Sequence, residues 1–219
     1  MEKAIYGMAM PFEDFYLRPD PERNIFRVDK TNRASVRFEE LVGMTICHDY
    51  TQVFGKTNDN LFIQVTDKGV YFKLIPNTPL GLSVYKKVKR NALRHCSISY
   101  NDIQKKRDVD EEARVSQRLR TVGLDDSIII EEYRKINVFE ICLTNGPANE
   151  LTFCTINADD HRLAGLTWDG VSPIPDGLIN PAPETGPRFE KKVCLAAETM
   201  ALARDVKAFK KQVWEVLRK

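Results

Sequence analysis

The sequence LFIQVTDKGVYFKL at residues 61–74 decides the fold class of this protein. β-Branched and aromatic residues recur near every second position on both sides of Thr66-Asp67-Lys68-Gly69. This alternation is typical of half-buried strands, and the tetrapeptide is typical of a hairpin turn in which Gly69 is free to take a positive φ. We therefore predict a β-hairpin within a β-rich fold. Further strands with similar patterns are predicted at residues 4–10, 24–28, 44–48, 94–100, 127–130, 136–144 and 151–156.

A helix is predicted directly after the hairpin. Thr78 can cap its first turn and Pro79 can occupy its first position, where a missing N–H costs no hydrogen bond. Its apolar side chains fall on one face, and its basic end at residues 86–90 leads into the strand at 94–100. Residues 101–123 carry charges of both signs with little periodicity, so we predict a solvated, mobile excursion there.

The composition restricts the class of protein. The chain has 219 residues, and 33 Lys and Arg residues against 31 Asp and Glu residues give a net charge of +2. Such a balance supplies no general attraction to nucleic acid or to an anionic membrane, so neither is predicted as a partner. Since no apolar run has the length of a signal peptide or of a membrane span, we expect a cytosolic protein.

The cysteines indicate neither a disulfide framework nor a metal site. There are five of them, an odd number, and none stands in a Cys-x-x-Cys pair. We expect reduced thiols and predict no metal and no cofactor. Cys47, Cys96 and Cys142 are predicted to be core side chains, because a free cysteine behaves as a small apolar residue.

The composition changes sharply after Gly170. Five prolines among glycines and small polar residues cannot build a helix or a central strand, which indicates a linker. Apolar residues at helical spacing then predict an amphipathic helix that could mediate homo-oligomerisation. We predict a folded domain at residues 1–168, a Pro-rich linker at 169–187 and a C-terminal helix at 188–219.

Three short segments place reactive side chains near the ends of predicted strands: TICHDY at 45–50, HCSISY at 95–100 and VFEICL at 138–143. They supply His48, Ser97 and Glu140. These are the three groups that acyl transfer needs, namely a nucleophile, a base that takes its proton, and a carboxylate that holds the imidazole in one tautomer. Each residue taken alone is a weak signal, since such triads are defined by geometry.

The order and context of these segments resemble the prohead proteases of tailed bacteriophages. The strand ending in His48-Asp49 is similar to that family's histidine strand, and the strand with Ser97 follows a helix with a basic end, as in the family. Phe139 to Asn149 is similar to the Glu-containing segment that closes the family's domain. The similarity is collinear over residues 4–155.

This resemblance implies a fold related to the herpesvirus assemblin proteases: an α+β, β-rich, small and mostly antiparallel β-barrel flanked by helices. It implies that Ser97 is the nucleophile, His48 the general base and Glu140 its supporting acid. It also implies a serine endopeptidase inside the assembling prohead, in the bacterial host cytoplasm. The implied substrates are the major capsid protein and the scaffold protein.

Several alternatives stay open. Ser99 shares a strand face with Ser97 and stands where the family commonly has glycine, whereas Cys96 points the other way, which disfavours a thiol protease. Gly55-Lys56-Thr57 resembles the end of a phosphate-binding loop but lacks the required upstream glycine. A catalytically inactive capsid-assembly or scaffold-binding protein on the same fold is the alternative function. The Pro-rich linker could also be a site of self-cleavage.

Overall fold

The computed structural model of the protein describes residues 2–12, 15–20, 25–121, 123, 128–147, 149–168 and 173–180. They belong to two compact units. The first unit holds the described residues up to 12, from 32 to 104 and from 134 onwards, and the second holds those in 15–31 and 105–133. The elements are β1 (Ile5–Pro11), β2 (Phe15–Asp20), β3 (Ile25–Lys30), β4 (Val36–Ile46), β5 (Gly55–Lys56), β6 (Leu61–Val65), β7 (Gly69–Leu74), α1 (Pro79–Lys89), β8 (His95–Arg107), α2 (Val109–Thr121), β9 (Ile128–Thr144), β10 (Phe153–Thr155) and β11 (Ile179–Asn180).

The first unit contains a four-stranded antiparallel sheet in the order β10-β1-β7-β6. The predicted hairpin is confirmed, with Val65 opposite Val70 and the Thr66 N–H donating to the Gly69 carbonyl at 3.0 Å. Gly69 does not use the positive φ that is open to it. Glycine is needed there for space, because an added Cβ would overlap the carbonyl oxygen of Met10 on the neighbouring strand β1.

The second sheet of the first unit is built on β4. This strand pairs in parallel with the second half of β9 and with β11, and antiparallel with β5. The parallel ladder places Gly43 opposite Glu140 and Ile46 opposite Leu143, after an irregularity between Phe38 and Gly43. The strand predicted at 44–48 therefore ends at Ile46, and β4 begins earlier than predicted.

Helix α1 is confirmed. The Thr78 side chain accepts a hydrogen bond from the Gly81 N–H at 3.0 Å, and Val84 and Val88 are buried. The structure thus supports the predicted cap and the predicted apolar face. Capping groups and apolar spacing are local properties, which is why they could be read from the sequence.

The predicted excursion at residues 101–123 was wrong. Strand β8 continues to Arg107, and α2 follows in the second unit. Val115 and Leu119, four positions apart, bury one face of this helix. Glu112 is buried too, and Arg107 neutralises its charge at 2.8 Å, so the many charged residues do not require the segment to be solvated.

Strands other than those of the hairpin also differ from the predictions. The two strands predicted at 127–130 and 136–144 are one long strand, β9, and β2 was not predicted. Over the described ranges the strands form open sheets with no ladder that closes a barrel, so the barrel stays a prediction.

Cys96, Cys142 and Cys154 are buried, but the prediction of a core position for Cys47 was wrong, because Cys47 lies exposed in the turn after β4.

Part of the predicted linker lies on the first unit. The Ile63 N–H donates to the Pro173 carbonyl at 2.9 Å, Ile174 is buried, and β11 extends the edge of β4. The remainder of the linker and the predicted helix at 188–219 lie outside the described residues. The domain limits stay predictions.

Candidate active site

The site begins at the turn after β4, where the chain takes an unusual backbone conformation. Cys47 and His48 have φ values of 50° and 58°. This left-handed region costs residues other than glycine roughly 1–2 kcal/mol each. Strand β9 holds the turn in place, since the Cys47 N–H donates to the Leu143 carbonyl at 3.0 Å and the His48 N–H lies 3.1 Å from Cys142 Sγ. Backbone strain is thus concentrated at a predicted site residue, as is common where function constrains geometry.

Glu140 lies beside this turn. Only 1% of its side chain is exposed, so its carboxylate needs hydrogen-bond donors. Oε2 lies 2.7 Å from His48 Nδ1, and Oε1 accepts a hydrogen bond from the Thr45 hydroxyl. The parallel register of β4 and β9, with Gly43 opposite Glu140, brings these groups together. Two of the three predicted site residues are therefore in direct contact.

The two serines of β8 differ in their contacts. Ser99 Oγ lies 3.2 Å from His48 Nδ1 and donates to Glu140 Oε2 at 2.5 Å. Ser97 is 8% exposed, and within the described residues no hydrogen bond joins its hydroxyl to His48. The alternation of a strand places both serines on one face of β8 and the fully buried Cys96 on the other. The structure therefore brings Ser99, rather than Ser97, into contact with the His48–Glu140 pair.

These residues lie within a region that a known protein family shares. The model of the caudovirus prohead serine protease family matches residues 28–164, which is more than half of the 219 residues. The chain belongs to this family. The resemblance seen in the sequence is confirmed, and membership in the prohead protease family supports a serine protease of capsid maturation. Comparisons with curated proteins and with solved structures gave no match.

In this family member, the two ring nitrogens of His48 have different surroundings. Glu140 and Ser99 both meet Nδ1. No side chain of the described residues hydrogen-bonds Nε2, and 24% of the His48 side chain is exposed. A carboxylate on Nδ1 favours the tautomer with its proton there, which leaves the Nε2 lone pair available as a base.

The electrostatics of the pair favour a charged imidazole. Contacts with the Cys142 sulfur and with the Glu140 carboxylate raise the pKa of His48 above its usual range, against burial, which lowers it. Burial alone would raise the pKa of Glu140, but hydrogen bonds from His48, Ser99 and Thr45 hold that pKa below its usual value. The site therefore stabilises an imidazolium beside an ionised carboxylate, the charge state that arises when histidine accepts a proton from a nucleophile.

Sequence reasoning missed two polar members of the site. Thr45 donates to Glu140, and the Tyr50 hydroxyl donates to Ser99 Oγ at 3.3 Å. Both flank His48 in the segment TICHDY, but nothing in one sequence showed that their hydroxyls face β9 and β8. That information lies in the pairing of strands distant in the sequence, which periodicity alone does not fix.

No group of three or more His, Cys, Asp or Glu residues is arranged to hold a metal ion in the part of the chain that the structure describes. Across the same residues, no helix is long and apolar enough to cross a membrane.

Proposed function

We propose that this family member is an active serine endopeptidase in which Ser97 is the nucleophile, His48 the general base and Glu140 the acid that supports it. The observation that carries the proposal is the 2.7 Å contact between Glu140 Oε2 and His48 Nδ1, with no side chain among the described residues hydrogen-bonded to Nε2. In serine proteases the acid holds Nδ1 and the nucleophile's proton passes to Nε2. All three residues lie within the matched range 28–164.

The resemblance to the prohead proteases assigns Ser97 as the nucleophile, and the direction of the imidazole argues against Ser99. Ser99 meets the nitrogen that the acid already holds, so it is badly placed to pass its proton to Nε2. Ser97 lies two residues earlier on the same strand face, which displaces it by about 6.5 Å along β8. A displacement of this size is compatible with a position of the Ser97 hydroxyl near the Nε2 side of the His48 imidazole.

The proposed reaction is a two-step acyl transfer. Ser97 Oγ attacks the scissile carbonyl carbon while its proton moves to His48 Nε2, and Glu140 stabilises the resulting imidazolium. The C–N bond then breaks as His48 returns the proton to the leaving amine, which leaves an ester on Ser97. Water, deprotonated by the same nitrogen, hydrolyses the ester and restores the serine hydroxyl.

The proposal extends to substrates and place of action. The major capsid protein and the scaffold protein are the proposed substrates, within the assembling prohead in the host cytoplasm. The Pro-rich stretch after Gly170 is a proposed self-cleavage site, since Pro-rich sequences favour an extended, solvated backbone. The proposed cut lies outside residues 173–180, because those residues pack on the first unit through the buried Ile174 and the pairing of β11 with β4.

The barrel implied by the resemblance is retained in this proposal. Two contacts near β8 and β10 support it. The Cys154 N–H donates to the Arg94 carbonyl at 2.8 Å, and the Cys96 N–H donates to Thr152 Oγ1 at 3.2 Å. These bonds connect an end of each sheet of the first unit.

Co-expression with the capsid or scaffold protein tests the activity. The wild-type chain is expected to give a discrete truncation of its partner, and Ser97→Ala is expected to abolish it. Intact mass would locate the cut. Truncation that persists unchanged in Ser97→Ala would refute the assignment of Ser97, and a wild-type chain that never cuts would favour an assembly protein without activity.

A further inference from the structure

Ser99 connects three polar groups of the site. The Tyr50 hydroxyl donates to Ser99 Oγ at 3.3 Å, and Ser99 Oγ donates to Glu140 Oε2 at 2.5 Å. The same oxygen lies 3.2 Å from His48 Nδ1. A serine hydroxyl has one proton and two lone pairs, so these three contacts use its whole hydrogen-bonding capacity.

The direction of these bonds determines the tautomer of His48. Glu140 is ionised and can only accept, so the single proton of Ser99 points to Glu140 Oε2. Burial raises the pKa of Tyr50, so its hydroxyl keeps its proton and remains a donor to Ser99. The lone pair of Ser99 that is left faces Nδ1. This arrangement is favourable only when Nδ1 carries hydrogen, so the neutral form of the ring has its lone pair on Nε2.

We propose that Ser99 is a positioning residue: its hydroxyl, oriented by Tyr50, holds Glu140 in place and selects the tautomer of His48 that is a base at Nε2. The inference rests on the proposed function for the role of Nε2, although the hydrogen bonds of Ser99 do not depend on which serine is the nucleophile. It also explains why Ser99 itself is unsuited to attack. Its proton is directed to a carboxylate, and the nitrogen next to it already carries hydrogen.

A measurement on the histidine ring tests this role without any need for activity. The sequence holds only 3 histidines, so ¹⁵N-histidine labelling gives a simple NMR spectrum. His95 provides an internal reference, since its Nδ1 lies 2.7 Å from the Thr152 carbonyl. In the wild type we expect a downfield proton bonded to Nδ1 of His48. Ser99→Ala should shift that resonance and its ¹⁵N partner, Ser99→Thr should largely restore them, and the His95 signal should stay in place.

Two further variants complete this experiment. Tyr50→Phe removes the donor that orients Ser99 and should shift the His48 resonance less than Ser99→Ala does. Ser83→Ala makes the same chemical change on an exposed position of α1 and should leave the resonance unchanged. If Ser99→Ala fails to fold, Tyr50→Phe still decides the question. An His48 resonance that stays in place in Tyr50→Phe, or in a folded Ser99→Ala protein, would overturn the inference.

Kinetics separate this inference from the proposed function. A hydrogen bond to a charged group supports a loss in kcat of roughly ten- to a hundredfold in Ser99→Ala, with KM unchanged. A fluorophosphonate probe, which loses fluoride to an activated serine, should label Ser97 in the wild type and should label it more slowly in Ser99→Ala. If the probe does not label the wild type, the protease proposal is refuted. The shift of the His48 resonance in Ser99→Ala would still support the positioning role of Ser99. Labelling on Ser99 would refute both.

Discussion

Two of the buried glutamates, Glu112 in the second unit and Glu140 in the first, differ in the groups that neutralise them. On α2, Glu112 accepts hydrogen bonds from Arg107 Nε at 2.8 and 2.9 Å and from the Ile130 N–H at 2.9 Å. On β9, Glu140 accepts from Thr45, Ser99 and the imidazole of His48. An arginine keeps its charge at every working pH, whereas an imidazole gains and loses a proton near neutrality. Glu112 therefore stabilises the packing of α2 against the strands that carry Arg107 and Ile130. Glu140 instead binds an imidazole, a group that can change its charge.

The two units also differ in backbone conformation, because residues with a costly positive φ lie beside Glu140 and not in the second unit's described residues. The described residues of the second unit contain no positive φ outside Gly123. In the first unit, Cys47 and His48 both take this costly conformation directly beside Glu140. The comparison teaches that burial of a carboxylate does not by itself mark a functional site. Glu140 differs from Glu112 in having the titratable partner His48 and in lying beside the strained turn that positions this histidine.

The largest effect is expected when each glutamate is replaced by glutamine. Glu140→Gln keeps the shape but loses the charge that supports the imidazolium, so the cleavage rate should fall by roughly 10³ to 10⁴-fold. Glu112→Gln should lower the free energy of unfolding by about 1–2 kcal/mol, as expected for a hydrogen bond to a charged group, and leave the cleavage rate nearly unchanged. Denaturant unfolding and substrate cleavage, measured on both variants, check the contrast. The contrast between the two glutamates is contradicted if Glu112→Gln folds normally and yet fails to cleave the substrate.

The next effect is the dependence on pH. His48 faces Cys142 and Glu140, and both raise its pKa above 6.5. Because the base must be neutral, kcat/KM should rise about tenfold per pH unit below that raised pKa, and its midpoint should lie above 6.5. Labelling of Ser97 by a fluorophosphonate, followed from acidic to alkaline pH, measures this midpoint. A midpoint at or below 6.5 would contradict the favourable pairing of His48 with Glu140.

The same shifts determine how stability depends on pH. Protonated His48 stabilises the fold fully below its unfolded pKa of 6.5, and this contribution is lost as the pH rises through the raised folded pKa. Ionised Glu140 stabilises the fold above its unfolded pKa of 4.5, and this contribution is lost as the pH falls through the lowered folded pKa. Both contributions are therefore greatest between about pH 4.5 and 6.5. The difference in unfolding free energy between the wild type and His48→Gln should be largest in that window.

Local signals predicted the local parts of this fold. The alternation in residues 61–74 and the Thr78-Pro79 start of α1 depend on neighbours in the sequence, and the structure has the elements where they were predicted. The resemblance to prohead proteases supplied His48 and Glu140. Their contact depends on the parallel pairing of β4 with β9, between residues 92 positions apart, which one sequence does not reveal.

The predictions that failed or stayed open share a physical cause. Residues 101–123 look solvated because their charges were considered one at a time, yet Glu112 finds its cation in Arg107 and so can be buried. The face shared by Ser97 and Ser99 could be predicted from strand geometry. Which serine meets Nδ1 could not, because it depends on the placement of β8 relative to the turn that holds His48. Tertiary pairing decides both questions.

The smallest expected effect concerns the strained turn. Cys47→Gly removes the Cβ from an exposed residue at a φ of 50°, so it should raise the free energy of unfolding by up to about 1 kcal/mol and change kcat/KM by less than roughly threefold. Ala113→Gly on the exposed side of α2 is the matched control and should lower stability by about 1 kcal/mol, because glycine weakens a helix. The same residue introduced in the two units should thus act with opposite signs in denaturant unfolding. If Cys47→Gly is as destabilising as Ala113→Gly, the turn is not strained, and the backbone part of the contrast between the two glutamates is wrong.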